Sequence, residues 1–554
     1  MKKRGWKQLL YLLAITAVIF SFSGCSAQRE TGTDTKSSGS EALNPDRSNY
    51  LVGVEDEPDT VDFQCTTIYY TIAQNVFNRL VEMDYDDSGE VKIMPSLAES
   101  WEKSEDGRTY TFHLEDGITF SNGSPLTSSD VQYTFERLLT HPDSCNRDIA
   151  DMILGAEELE AGEADSLEGF QVLNDRDFTI TLTQPFEAFL ACLSMPGASI
   201  LDKETTEEAG ERFGNDAEWT IGTGSFILEE WTPGEGMILS ANKDCWRGAP
   251  RCEGLDLRFL TEPEEIVTLF NNGGIDVLDL DEVGDYAEYY LHGDIYQDRL
   301  FRCPRIGTYY IALNESVAPL NDVRVRKAMQ FALNRPLLLD AVYGGLGEVV
   351  NGIYPRGLYG FNPELQEIPY SPEEAEKLLE EAGFPDGFDL TIQVKPSSTQ
   401  WEMTLMRLAA SMWEKVGIHT TIKVLDEDEF MRLRKSGSLT SYAALWTADF
   451  NDPDNFIYTF FGDAENTTFR SLCYPREDIM KRVRNARVIP DPDVRIQEYR
   501  DLERIIAQKD AAWIPLFSRE RTYVTSDRVK GVTASWNGSV KNMYREMSIE
   551  EQAS

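Results

Sequence analysis

The sequence predicts a mixed α/β protein with partly parallel sheets, on three observations. Helical stretches end in glycine and pass at once into β-rich runs. The chain is 41% hydrophobic and 11% aromatic, far from the composition of disordered proteins. At 554 residues it is long enough for roughly three to four domain-sized units.

The elements follow in order. Tyr110, Phe112 and Leu114 alternate with Thr111 and His113 as in a half-buried strand. Asp116-Gly117 turns the chain, and Ile118-Thr119-Phe120 continues to Asn122-Gly123, so 110–120 reads as a strand-turn-strand unit. Thr127 is placed to cap a helix carrying Val131, Tyr133, Phe135, Leu138 and Leu139, with Asp130 at the capping-box distance. Ser371-Pro372-Glu373-Glu374 opens another helix with proline at its first position; Leu378 and Leu379 line its apolar face, and Gly383 closes it. Residues 390–394 alternate as a strand. A helix over 406–416, a stop at Gly417 and a strand over 420–424 repeat the theme, although the chain contains no internal repeat.

The 95 Asp+Glu against 52 Lys+Arg leave a net charge of −43. Nucleic-acid binders need a basic stripe that releases counterions from phosphate, and anionic lipid headgroups repel acidic proteins in the same way, so neither is an expected direct partner.

The N-terminus reads as an export signal. Lys2, Lys3, Arg4 and Lys7 precede an apolar run over 9–22, about 14 residues where a comfortable crossing needs about 20. The run ends in Phe22-Ser23-Gly24-Cys25, which resembles the lipobox of bacterial lipoproteins: residues 1–24 are removed and the Cys25 thiol is acylated. The alternative is an ordinary signal peptide beside an unrelated cysteine. Loss of those four basic residues takes the charge from −43 to −47. Residues 25–48, rich in Ser, Thr, Gly and charge, read as a flexible tether.

Beyond Cys25, the cysteines are Cys65, Cys145, Cys192, Cys245, Cys252, Cys303 and Cys473, an odd number that leaves at least one unpaired within the chain. Cys245 and Cys252 flank a Gly-Ala-Pro turn and either bridge it or remain thiols. There is no CxxC, and His113, His141, His292 and His419 stand singly, so neither a metal site nor a cofactor is expected.

Six blocks between about 50 and 535 resemble the solute-binding proteins of ATP-driven peptide/nickel importers, in particular the oligopeptide- and dipeptide-binding members. Glu57-Pro58-Asp59-Thr60-Val61-Asp62 is similar to their "EPxTLD" opening. LAESWEKSEDGRTYTFHLEDGITFSNGSPLTSSDVQYTFERLL, residues 97–139, follows the signature "sWexsxDgxtytFxLrxgvkFsdGxplTaxDVxysxer" nearly throughout. Ile221-Gly222-Thr223-Gly224-Ser225-Phe226 resembles "GTGPF", with Ser225 in place of proline, and 242–246 resembles "NpdYW", with Cys245 in place of tyrosine. PLNDVRVRKAMQFALNR at 319–335 resembles "PxxDxRVRqAxxyAiDR", with Asn334 for aspartate, and LWTADFNDPDNF at 445–456 resembles "gWxaDyxDPxnF".

Most of these residues have structural readings. The glycines of 222–224 and 344–347 fit no phosphate-binding spacing and read as turn or close-packing positions. Arg324 and Arg326 read as helix anchors, Trp101 and Trp246 as core or inter-domain aromatics. Function must come from a site.

The resemblance implies that Asp449 accepts the α-ammonium of a bound peptide while the neighbouring main chain pairs with it in extended form. Each part has a chemical reason. The N-terminus is the one cation every unmodified peptide carries, and strand addition supplies hydrogen bonds independent of sequence. Trp446 is expected to wall the first side-chain pocket, Tyr69 and Tyr70 to line the cleft, and Arg356 to meet the ligand carboxylate. The structural alternative makes Asp449 a loop cap ahead of Asp452-Pro453.

The implied architecture is a two-lobed type II periplasmic-binding-protein fold with an inserted domain. Residues 49–70, 205–304 and 525–554 would form lobe I, 71–204 the insert and 305–524 lobe II, with a hinge between the lobes. The expected protein is a monomeric, non-enzymatic, lipid-anchored receptor on the extracytoplasmic face that delivers peptides to an ABC permease. Rivals are the same fold with nickel chelate, haem, glutathione or an oligosaccharide, and a secreted hydrolase. No GxSxG or HExxH supports the hydrolase, although a carboxylate pair remains open among 95 acids.

Overall fold

A computed structural model describes residues 47–86, 89–395 and 400–550. The expected signal segment, Cys25 and nearly all of the tether lie outside the described residues. Among the described residues no helix is long and apolar enough to cross a membrane.

Two strand systems organise the chain. In the first, Tyr50–Glu55 runs parallel to Gly254–Phe259, which continues antiparallel through Gly236–Ala241 to Phe226–Thr232. The second is built on the 13-residue strand Trp513–Thr525. Its C-terminal half pairs with Val277–Asp279 and Leu300–Pro304, on the side of the first system. Its N-terminal half pairs with Gly307–Leu313 and Gly347–Val349, and Gly307–Leu313 pairs in turn with Ser441–Thr447. The two lobes therefore share one strand, and Arg305 and Ile306 join Leu300–Pro304 to Gly307–Leu313 beside it. At this crossing Arg519 pairs with Asp281, and Arg521 with Asp279 at 2.9 Å.

One face of the second lobe's sheet packs Tyr309, Ile311 and Leu313 against helices Val323–Phe331 and Gln400–Glu414. The other face carries Tyr310 and Trp513, with Phe456, Phe460 and Phe461 of helix Asp454–Phe461 against them. The inserted four-stranded sheet (Ala98–Lys103, Thr109–Leu114, Asp177–Thr181, Phe170–Val172) has a phenylalanine core, with Phe112 and Phe170 each stacked on Phe178. The segments flanking this sheet meet the second lobe directly: the Arg487 guanidinium lies 4.5 Å from the Phe186 ring, and the Asn451 N–H is 3.1 Å from Met83 Sδ.

Local chemistry explains the element ends. Helix Ser128–Thr140 carries the Thr127/Asp130 capping box, and Ser371 Oγ accepts the Glu374 N–H at 3.4 Å ahead of Pro372–Glu381. Gly417, with φ +87, takes the chain from Gln400–Glu414 into Ile418–Val424, which is parallel to Phe388–Val394. Gly222 and Gly224 are close-packing positions: a Cβ on either would stand 2.1 Å from Val76 O or 2.5 Å from Asn75 O. Arg326 anchors its helix through Glu315 at 2.9 Å, and Trp246 donates to Asn78 Oδ1. Cys245 and Cys252 are free thiols.

One expectation is corrected. Residues 118–120 do not continue a hairpin with 110–114, because Ala98–Lys103 and Asp177–Thr181 occupy both edges of Thr109–Leu114. Thr119 instead makes a single bridge to Pro125 around Asn122-Gly123.

Candidate functional site

Ser441–Thr447 is the last laddered strand of its sheet; among the described residues its outer edge carries no strand ladder, and Phe388–Val394 approaches only its N-terminal end, where Gln393 Oε1 accepts the Ser441 N–H. Alternation decides which backbone groups face outward. The Ala448 N–H bonds to Ile306 O on the inner side, whereas the Ser441 N–H bonds to Gln393 Oε1 on the outer side. By the two-residue period, Ala443, Leu445 and Thr447 turn their N–H and C=O groups to the open edge.

Asp449 follows the end of this edge. Its carboxylate Oδ2 accepts from Asn455 Nδ2 at 3.0 Å, and its N–H donates to Asn455 Oδ1 at 3.1 Å. The same Asn455 accepts from Trp446 Nε1 at 3.2 Å, through both its carbonyl and its side-chain oxygen. One buried asparagine thus orients both the Trp446 indole and the Asp449 carboxylate. The loop is fixed from behind: Arg495 grips Asp452 with two bonds of 2.7 and 2.8 Å, Arg487 meets Asp454 Oδ2 at 3.1 Å, and Tyr499 donates to Asp454 Oδ1 at 2.7 Å.

Asp449 remains exposed to the cleft, yet protein crowds it closely enough for burial to push its carboxyl up to about 6, against the opposing hydrogen bond from Asn455. Asp148 raises it further and Arg470 lowers it, which puts both groups within electrostatic reach. Asp148 belongs to the short turn Arg147–Ile149 of the insert, and Asp151 follows that turn. Burial raises the Asp148 carboxyl and pushes Asp151 up to about 6, with Arg487 working against both. Arg487 of the second lobe thus lies within electrostatic reach of Asp148 and Asp151 of the insert.

The predicted residues do not all converge. Trp446 and Asp449 share Asn455. Tyr70 donates to Thr66 O at 2.6 Å and to Asn146 Oδ1 at 3.3 Å, and feels the charge of Asp449 after burial, the larger cause of its raised pKa. Tyr69, 44% exposed, has φ +60, a left-handed conformation that non-glycine residues hold under strain. Arg356 lines a separate cavity of about 210 Å³ with Tyr354, Phe361 and Asn362; its Nε donates to Glu348 at 3.1 Å and its guanidinium stacks 5.2 Å from the Phe361 ring. No contact ties it to Asp449. The sequence reading passed over Asn455, although it lies in the DPDNF block. It also passed over Asp148, Asp151, Arg470 and Arg487, which no local pattern marks. Among the described residues no group of three or more His, Cys, Asp or Glu side chains is placed to hold a metal ion.

A model of the bacterial extracellular solute-binding proteins, family 5 middle region, matches residues 92–468. The chain therefore belongs to the family 5 bacterial extracellular solute-binding proteins. It is similar to the dipeptide-binding protein of Escherichia coli, with 28% identity over 88% of this chain and 91% of that protein. It is equally similar to haem-binding protein A of Haemophilus influenzae, with 28% identity over 85% of this chain and 86% of that protein. Among solved structures, HbpA2 from Haemophilus parasuis matches with a TM-score of 0.76 and 25% identity, covering 91% of this chain and all of that one (100%). These matches carry the two-lobed type II fold.

Proposed function

We propose that this chain is an extracytoplasmic peptide receptor of an ABC importer, anchored through acylated Cys25 and acting as a monomer without chemistry on its ligand. The observation that carries the reading is an accessible carboxylate, Asp449, at the end of a sheet edge whose outward backbone groups can pair with an extended chain. The peptide ammonium meets Asp449, its main chain extends along Ser441–Thr447, and Trp446, Tyr69 and Tyr70 line the first pockets. Closure of the lobes over the ligand creates the form that the permease recognises, driven by the ligand's higher affinity for the closed state. Similarity to the dipeptide-binding protein supports this ligand class.

The test is isothermal titration with di- to octapeptides and their N-acetylated counterparts. Binding of free peptides, weakened by acetylation, is the expected outcome; absence of binding by every peptide refutes the reading. Haem is the second reading, on the similarity to haem-binding protein A, and a Soret shift on titration with haemin would reveal it.

A further inference from the structure

Buried arginines in this chain are met by carboxylates, as Arg495 is by Asp452, Arg487 by Asp454, Arg326 by Glu315 and Arg521 by Asp279, or by carbonyl oxygens, as Arg335 is by those of Val350 and Ile368. Two half-buried arginines beside the edge strand are not. Arg434, near the end of helix Glu427–Lys435, and Arg470, just past helix Ala464–Phe469, make no side-chain hydrogen bond or salt bridge to any described residue, and the Nε of each is buried without a partner. Their surroundings are aromatic: Arg470 lies 5.0 Å from the Trp446 ring and 4.7 Å from that of Phe460, and Arg434 lies 5.6 Å from the ring of Phe469. Burial draws the pKa of Arg470 down, and the like charge of Arg434 draws it down further.

Two adjacent guanidinium groups without a counter-ion are costly to desolvate, and cation–π contacts recover only part of that cost. A chain with 95 acidic residues against 52 basic ones has no shortage of carboxylates to place there. Position identifies the missing anion. Tyr310 pairs with Ala444, so Tyr442, Ala444 and Trp446 share the sheet face that Tyr310 occupies, and the arginines stand over that face. In an added strand the side chains point to the faces, while the main chain and its terminal carboxylate stay in the plane. Arg470 also senses Asp449 without bonding to it, so the pair lies close to where the ligand begins.

On the peptide reading, we infer that Arg434 and Arg470 form an anion subsite for the side-chain carboxylate of an aspartate or glutamate near the N-terminus of the bound peptide. The subsite gives the receptor a preference for acidic peptides despite its own negative charge. Tyr442, whose hydroxyl donates to Arg470 O at 2.7 Å, holds the backbone of Arg470 in place.

The experiment measures Kd for Glu-Ala-Ala and Ala-Glu-Ala against Gln-Ala-Ala and Ala-Gln-Ala, with Ala-Ala-Ala and its C-terminal amide as references, on the wild-type protein and on Arg470→Gln and Arg434→Gln. Glutamate at one of the two positions is expected to bind about 10- to 100-fold tighter than glutamine there. That advantage, read as the Glu/Gln ratio of Kd within each protein, should collapse in either variant, whatever change the loss of charge beside Asp449 makes to all peptides alike. Equal binding of the Glu and Gln peptides by the wild type, with Ala-Ala-Ala still bound, overturns the subsite and leaves the peptide reading intact. If amidation of Ala-Ala-Ala reproduces the loss caused by the variants, the arginines hold the α-carboxylate and the side-chain assignment is overturned. Failure of every peptide overturns both. The wild-type Glu/Gln comparison decides the matter even if a variant does not fold.

Discussion

Replacing Asp449 with asparagine tests the centre of the site with little change of shape. In the wild type the carboxylate has one protein donor, Asn455 Nδ2 at 3.0 Å, and open space toward the cleft. The substituted amide keeps an oxygen for that donor, so the loop held by Asp452 and Arg495 should remain in place. What it loses is a charge facing the ligand ammonium in a cleft from which closure excludes water. Removing one partner of such a pair costs about 2–5 kcal/mol, or about 30- to several thousand-fold in Kd. Isothermal titration with a free tripeptide and its N-acetyl derivative completes a double-mutant cycle. Acetylation and Asp449→Asn should each weaken binding by similar factors, and the two together by far less than their product. If Asp449→Asn binds the free peptide as tightly as the wild type, or if the losses multiply, Asp449 does not hold the ammonium.

Further outcomes follow from the same geometry. With the Asp449 carboxyl at about 6 before binding, its ionised fraction falls about tenfold between pH 7 and pH 5, so Kd should rise about tenfold over that range and Asp449→Asn should be nearly flat. Leu445→Pro removes an outward N–H from the open edge and should weaken every peptide by about 5- to 10-fold regardless of sequence, read by titration. Arg495→Ala strands the buried Asp452 carboxylate and should cost the second lobe about 3–5 kcal/mol, measured by urea unfolding.

Much of the fold was legible because its signals are local. Thr127 with Asp130, Ser371 before a proline, and Gly417 between helix and strand each specify a cap or a stop within a few residues. Ile118-Thr119-Phe120 shows the limit, since strand chemistry alone does not say whether a partner's edge is already taken. The shared strand Trp513–Thr525 is obscured by a polar centre, Ser518-Arg519-Glu520-Arg521, whose alternation is interrupted where the chain passes between lobes. At the site, the Trp446 to Asp449 block is readable because it is contiguous. Asp148 and Arg470 come to Asp449 from segments hundreds of residues away or from a different helix end, and only folding brings them within electrostatic reach.

The open edge of Ser441–Thr447 has a consequence for how the protein behaves in a crowd of its own kind. An unpaired strand is a template on which another protein's strand can grow into a continuing sheet. Here the C-terminal end of the template meets the insert: Asp148 stands within electrostatic reach of Asp449, and Arg487 of the second lobe packs on the buried Phe186 ring. The surface best suited to polymerisation thus ends against another part of its own chain, which limits how far a neighbour's sheet could continue along it.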